Sequence, residues 1–69
     1  MPSHTYKHIE ITGSSTTSSD DAIRSAIAEA SKTLDHLHWY EVTESRGFIE
    51  GGEVKHWQVS LKIGFRLDR

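Results

Sequence analysis

The sequence has no cysteine among its 69 residues, so no disulfide can stabilise the fold, and this composition fits a reducing compartment. A chain of this length buries only about 60% of the surface that its unfolded form exposes. The isolated monomer is therefore expected to be marginally stable. Self-association is the remaining way to bury more surface, and the length alone favours a homo-oligomer.

Long apolar runs are also absent, and none approaches the roughly 20 residues that a membrane-spanning helix needs. The first residues, Met1 to His4, have neither a charged leader nor an apolar core. The net charge is −2, and the eight basic and ten acidic residues are scattered along the chain, so no basic patch is available for nucleic acid or an anionic membrane. The sequence predicts a soluble, cytoplasmic protein that binds neither nucleic acid nor a membrane.

Catalytic motifs are missing as well. There is no G-x-S-x-G sequence and no glycine-rich phosphate loop, because Gly51-Gly52 lies between two strand-like runs. The histidines lack an acidic or cysteine partner at a recognised metal spacing and are interpreted as surface residues: His4, His8, His36, His38 and His56. We therefore expect no metal site and a binding protein rather than an enzyme. A small metal-dependent enzyme is the weaker alternative.

The first half of the chain predicts a strand and a helix. Residues Thr5 to Thr12 alternate, with Ile9 and Ile11 on one face, which is typical of a half-buried strand. Gly13 and the hydroxyl run Ser14 to Ser19 are expected to end this strand.

Ser18 or Ser19 is expected to cap the helix, with Asp20 and Asp21 in its first turn near the positive end of the helix dipole. The helix is predicted from about Ser19 to Asp35. Its apolar residues recur at helical spacing: Ile23, Ile27, Ala30, Leu34 and Leu37, with Ala22 and Ala26 alongside.

The second half predicts a β-hairpin, formed by Leu37 to Glu50 and Glu53 to Leu67 and joined by the Gly51-Gly52 turn. In the last strand the apolar face consists of Trp57, Val59, Leu61, Ile63, Phe65 and Leu67. In the preceding strand Tyr40 and Val42 are assigned to the core face, and the opposite face receives Trp39, Glu41, Thr43 and Ser45. Arg46-Gly47 is expected to interrupt the alternation as a bulge or bend.

Together these elements predict a single α+β domain over residues 1–69, with a β-α-β-β order and a three-stranded antiparallel sheet packed on one helix. Trp39 and Gln58 then share the sheet face opposite the helix. An indole exposed there forgoes up to about 4–6 kcal/mol of burial, which indicates a contact. The contact is either a subunit interface or a planar ligand that stacks on Trp39 and hydrogen-bonds Gln58. Arg46 is either a surface charge or a phosphate ligand.

The chain resembles the dodecin family of small flavin-binding proteins, in its bacterial form. The resemblance covers nearly the whole sequence. Its most specific parts are Leu37 to Val42, Arg46-Gly47 and the end of the last strand. The matching segments are Tyr6-Lys7, Ile9-Glu10, Gly13-Ser14-Ser15, Ala22-Ile23, Ala26-Ile27, Ala30 to Leu34, Leu37 to Val42, Arg46-Gly47, His56 to Val59 and Leu61 to Leu67.

The resemblance implies a homododecameric hollow shell that binds flavins in pairs between subunits, for storage or sequestration, and quenches their photoreactivity. It implies that Trp39 stacks on the flavin ring, that Gln58 hydrogen-bonds the ring's polar edge, and that Arg46 lies near the phosphate of flavin mononucleotide (FMN). Riboflavin is the other expected flavin. Tyr6 and Arg66 correspond to segments associated with subunit contacts and, in some members, with coenzyme A. The alternative function is a shell or carrier whose main ligand is not flavin, for example coenzyme A.

Two residues depart from the family pattern. His38 stands where the family usually has an acidic residue, and Phe48 stands where bacterial members often have a polar one. Because histidine titrates near neutral pH, His38 is expected to make ligand affinity or assembly sensitive to pH. Phe48 is expected to alter the wall of the ligand site.

Overall fold

The computed structural model describes residues 4–67 and contains four elements: β1 (Tyr6–Ser15), α1 (Ser19–Ala30), β2 (Leu37–Glu50) and β3 (Glu53–Arg66). The three strands form one antiparallel sheet in the order β1-β3-β2. The predicted β-α-β-β fold is therefore confirmed. Residues 1–3, on which most of the expectation about Met1 to His4 rests, lie outside the described range. The last two positions of the predicted domain, 68 and 69, also lie outside it.

Strand β1 is longer than predicted, because Gly13 to Ser15 continue to pair with β3. Gly13 lies directly beneath α1: a Cβ there would collide with the carbonyl oxygen of Ala22 and lie 2.8 Å from the Cβ of Ala26. The hydroxyl run was expected to end the strand, but its first members extend it. Ser15 ends it by accepting a hydrogen bond from the Thr17 amide, at 2.8 Å.

The helix begins as predicted and ends earlier. The side chain of Ser18 accepts a hydrogen bond from the amide of Asp21 at 3.0 Å, which is a capping interaction. The predicted end at Asp35 is wrong, because α1 stops at Ala30 and the amides of Lys32 and Thr33 bond three residues back rather than four. The 12 residues of α1, within the described range, form too short and too polar a helix to span a membrane.

The core is small and lies between α1, β1 and β3. Its buried apolar side chains come from the helix and the central strand: Ala22, Ala26, Val59, Leu61 and Ile63. Partly buried side chains surround it: Ile9, Ile11, Ile23, Ile27, Ala30 and Leu37. The predicted core is therefore confirmed at its centre, in Ala22, Ala26, Val59, Leu61 and Ile63, whereas Trp57 and Phe65 are half-buried and Leu67 is exposed.

Strand β2 is a largely uncovered edge. Tyr40 and Val42 oppose Ile63 and Leu61 in the register, so they lie on the predicted face. They are nevertheless 51% and 42% exposed, because α1 packs on β1 and β3 and leaves this edge open. The hairpin turn is confirmed, with positive φ angles of 61° at Gly51 and 79° at Gly52.

A bulge in β2 lies before the predicted position. Val42 pairs with Leu61 and Glu44 pairs with Ser60, so the register shifts at Thr43 rather than at Arg46-Gly47. The assignment of Ser45 to the face opposite the helix is wrong, because Ser45 pairs with buried Val59. Because of the same shift, Arg46 lies on the sheet face opposite the helix, where it pairs with Gln58.

Candidate ligand-binding site

We call the sheet face opposite α1 the outer face. Trp39 opposes Gly64 on this face, and its indole covers Gly64 so closely that a Cβ at position 64 would collide with the ring. The His8 ring lies 6.4 Å from the indole between centroids. Trp39 remains 40% exposed. The glycine thus gives the tryptophan room to lie against the sheet while it presents an aromatic surface to the outside.

Gln58 and Arg46 form a hydrogen-bonded pair further along the outer face. They are register partners, and the Nη1 atom of Arg46 donates to Oε1 of Gln58 at 2.7 Å. The Nη2 atom of Arg46 contacts Oε1 of Glu44 as an ion pair. We refer to Arg46 and Gln58 as the arginine–glutamine pair. It offers a cation and an amide to a polar or anionic ligand.

Trp39 and the arginine–glutamine pair lie far apart within one chain. The indole covers Gly64, whereas Gln58 is six positions earlier in the same strand. At about 3.3 Å per residue, this separation is roughly 20 Å, which is longer than the ring system of a flavin. The shared face is confirmed, but a single chain does not bring these side chains to one ligand.

A small cavity reaches Trp39 from the helix side of the sheet. A cavity of about 150 Å³ lies where the helix end meets β2, below the roughly 300–1,000 Å³ typical of ligand pockets. Its lining is mostly apolar: Ile27, Leu37, His38, Trp39, Tyr40 and Ile63. Because Ile27, Tyr40 and Ile63 belong to the helix side of the sheet, this cavity is separate from the outer surface that Trp39 presents.

The other residues from the sequence predictions lie at the two ends of the outer face. Near Trp39, the rings of Tyr6 and His38 stack with centroids 5.5 Å apart, and Arg66 is the register partner of Tyr6. At the hairpin end, Phe48 packs edge-on against His56 at 6.2 Å. Phe48 follows Arg46 by two residues, so it lies beside the arginine–glutamine pair.

Two residues of the site were not singled out from the sequence, namely Gly64 and Glu44. Gly64 lies between the apolar positions Ile63 and Phe65 of its strand, and nothing in the sequence pattern indicates that an indole covers it. The signal for Glu44 was its spacing, since residues two apart on a strand share a face. Unbroken alternation through Thr43 would, however, place both Glu44 and Arg46 on the helix face, away from Gln58.

Metal-ligand geometry is absent from the described range. Between residues 4 and 67, no three histidine, aspartate or glutamate side chains converge as they would around an ion.

Comparison with known proteins identifies relatives over nearly the full length. Residues 5–68 match the family model described as Dodecin. The Dodecin of Thermus thermophilus is 49% identical over 63 residues, which are 91% of each chain. The solved structure of dodecin from Streptomyces coelicolor is 52% identical, has a TM-score of 0.89, and aligns with 100% of this chain and 99% of its own.

A more distant structure is the calcium dodecin of Mycobacterium tuberculosis, described as a calcium-chelating antigen with a novel calcium-binding site. It is 26% identical with a TM-score of 0.78, covering 93% of this chain and 91% of its own. Structures of the Thermus thermophilus dodecin also include one with a tryptophan replaced by phenylalanine and two with an arginine replaced by alanine.

Proposed function

The chain belongs to the dodecin family, and we propose that it is a cytoplasmic flavin-binding storage and sequestration protein rather than an enzyme. The single observation that carries this proposal is Trp39, an accessible indole that lies against a glycine in the largely polar outer face. Aromatic stacking on such a platform contributes about 1–3 kcal/mol per ring. The donor set of the site fits a flat heteroaromatic ligand with a polar edge and an anionic tail, and FMN has both.

The separation of the site residues supports assembly between copies of the chain. Because Gln58 lies about 20 Å from the Gly64 position that Trp39 covers, the ring stacked on one copy's indole meets Gln58 from another copy. Arg46 is hydrogen-bonded to Gln58, so both enter the site from that second copy. Trp39 provides the stacking surface, Gln58 the amide for the ring's edge, and Arg46 the cation for a phosphate.

The uncovered edge supports the same assembly. Large apolar side chains remain exposed along β2 and the hairpin end, including Tyr40, Val42, Phe48, Ile49 and Val54. Between residues 4 and 67 the core contains five buried apolar side chains, so the monomer gains stability if a neighbouring copy covers the exposed ones. We propose the homododecameric hollow shell of the family as the assembly that does so.

Bound flavin supplies a ring that is photoreactive when it absorbs light. With flavin bound, the Trp39 indole would lie against the ring, where it would be placed to quench the excited flavin by reversible electron transfer. The neighbouring subunits that complete the site exclude water and other reactants from the ring. We therefore propose that the same stacking of the ring on Trp39 between subunits both stores the flavin and protects it from light.

The test is the absorption spectrum of the purified protein, a titration with FMN and riboflavin, and the size of the assembly by gel filtration. We expect a large assembly that quenches the fluorescence of added flavin. A large assembly that leaves flavin fluorescence unchanged would favour a shell for another ligand, such as coenzyme A. A monomer would contradict both the assembly and the shared site.

A further inference from the structure

Arg46 is already occupied on both arms of its guanidinium group. One terminal nitrogen donates to Gln58 at 2.7 Å, and the other is paired with the carboxylate of Glu44. A carboxylate and a phosphate oxyanion compete for the same fork of donors on arginine. Glu44 thus holds the position on Arg46 that an anionic ligand would need.

The bulge at Thr43 creates this arrangement. Glu44 pairs with Ser60 and Arg46 pairs with Gln58, so the shift places both charged side chains on the outer face, two residues apart. The Thr43 hydroxyl donates to Oε2 of Glu10 at 2.7 Å or to the carbonyl oxygen of Ser60 at 3.1 Å, which ties the bulge to the neighbouring strand β3 and, across it, to β1. The carboxylate is therefore built into the strand beside the arginine.

The ion pair is accessible enough to open. In the single chain the side chains of Arg46 and Glu44 are 42% and 57% exposed, and exposed pairs of this kind are weak. A phosphate monoester carries more charge than a carboxylate and three acceptor oxygens, so it can displace Glu44 from the guanidinium. The displaced carboxylate stays nearby and repels the phosphate.

We propose that Glu44 is a specificity-determining residue of this site, which competes with the ligand's phosphate for Arg46 and so reduces the preference for FMN over riboflavin. The inference rests on the proposed flavin-binding function. Riboflavin has no phosphate, so its binding does not require Arg46 to release Glu44. The carboxylate thereby narrows the difference in affinity between the two flavins.

The test is Glu44→Gln in the full assembly, titrated with FMN and with riboflavin at low and high salt. We expect FMN to bind about three- to tenfold more tightly and riboflavin to bind unchanged. The gain for FMN should shrink at high salt because it is electrostatic. The matched control is Glu53→Gln, which removes the same charge from a strand ion pair with Lys55, at 3.3 Å, near the hairpin turn.

A double-variant cycle separates this role from a general charge effect. In the Arg46→Ala background, Glu44→Gln should give a much smaller gain for FMN, because no guanidinium remains to be released. Unchanged or weaker FMN binding in Glu44→Gln overturns the proposal, as does an equal gain for riboflavin or for Glu53→Gln. If the unmodified protein binds neither flavin, the proposed function itself fails, which is a distinct result.

Discussion

Trp39 and Gln58 lie on the same face of the sheet, yet Gln58 lies six positions before Gly64 in β3, and Gly64 is the residue that the indole covers. The two side chains thus share a face but lie too far apart along the strands to contact the same ligand within one chain. In the proposed function the site is formed by at least two copies of the chain, and the predictions below depend on that proposal.

Replacement of the stacking residue should abolish most flavin binding. Trp39→Ala removes an aromatic surface that contributes about 1–3 kcal/mol, so we expect affinity to fall at least about tenfold and flavin fluorescence to recover. The control is Trp57→Phe, since Trp57 lies on the opposite face of the sheet. Flavin titration followed by fluorescence distinguishes them, and full quenching by the Trp39 variant would exclude the stacking role.

A methyl group at the glycine beneath the indole should have a related effect. Gly64→Ala places a Cβ where the Trp39 ring now lies, so the ring must move out of position. We expect flavin affinity to fall about tenfold while the sheet is retained. Circular dichroism checks the sheet, and Lys62→Ala on the same face is the control. Unchanged affinity in the Gly64 variant would show that the seating of the indole is unimportant.

The arginine should distinguish the two flavins. Arg46→Ala removes a charge-assisted contact, and such contacts contribute about 1.5–3 kcal/mol, so FMN affinity should fall roughly tenfold or more. Riboflavin affinity should change little. Isothermal titration of both flavins measures this, with Arg24→Ala on the exposed face of α1 as the control. Equal losses for the two ligands would remove the phosphate assignment.

Helix packing should depend on Gly13. An alanine there meets the carbonyl oxygen of Ala22 and the Cβ of Ala26, and overpacking of this kind costs about 1–3 kcal/mol. For a domain of this size, that loss lowers the melting temperature by at least about 4–8 °C. Thermal unfolding at a fixed protein concentration measures it, and Ser14→Ala, at an exposed neighbour, is the control. Equal melting temperatures would show that the helix can shift without cost.

The regular parts of the fold were predictable because local patterns determine them. Alternation places Val59, Leu61 and Ile63 in the core, and Ser18 caps the helix as its side chain chemistry requires. The helix end was not predictable from apolar spacing, because Leu34 continues the helical period while the backbone already tightens at Lys32 and Thr33. Periodicity describes which face a residue occupies, not where the hydrogen bonding changes.

The sequence indicated which residues belong to the site, but not how their side chains are oriented relative to one another. Parity correctly placed Trp39 and Gln58 on one face, whereas the orientation of Arg46 depends on the bulge at Thr43. That bulge is tied by contacts to Glu10 and Ser60, which are distant in sequence. No local pattern reports such contacts, so neither the arginine–glutamine pair nor the role of Glu44 could be derived before the register was known.

The most direct test of the shared site mixes two defective chains. Trp39→Ala and Gln58→Ala assemblies, each dissociated and then reassembled together at equal amounts, should regain flavin binding at about a quarter of the sites, because an intact indole and an intact amide then meet from different copies. Each variant reassembled alone is the control. The account predicts binding in the mixture well above the mean of the two controls, and a mixture that binds no more than that mean would contradict it.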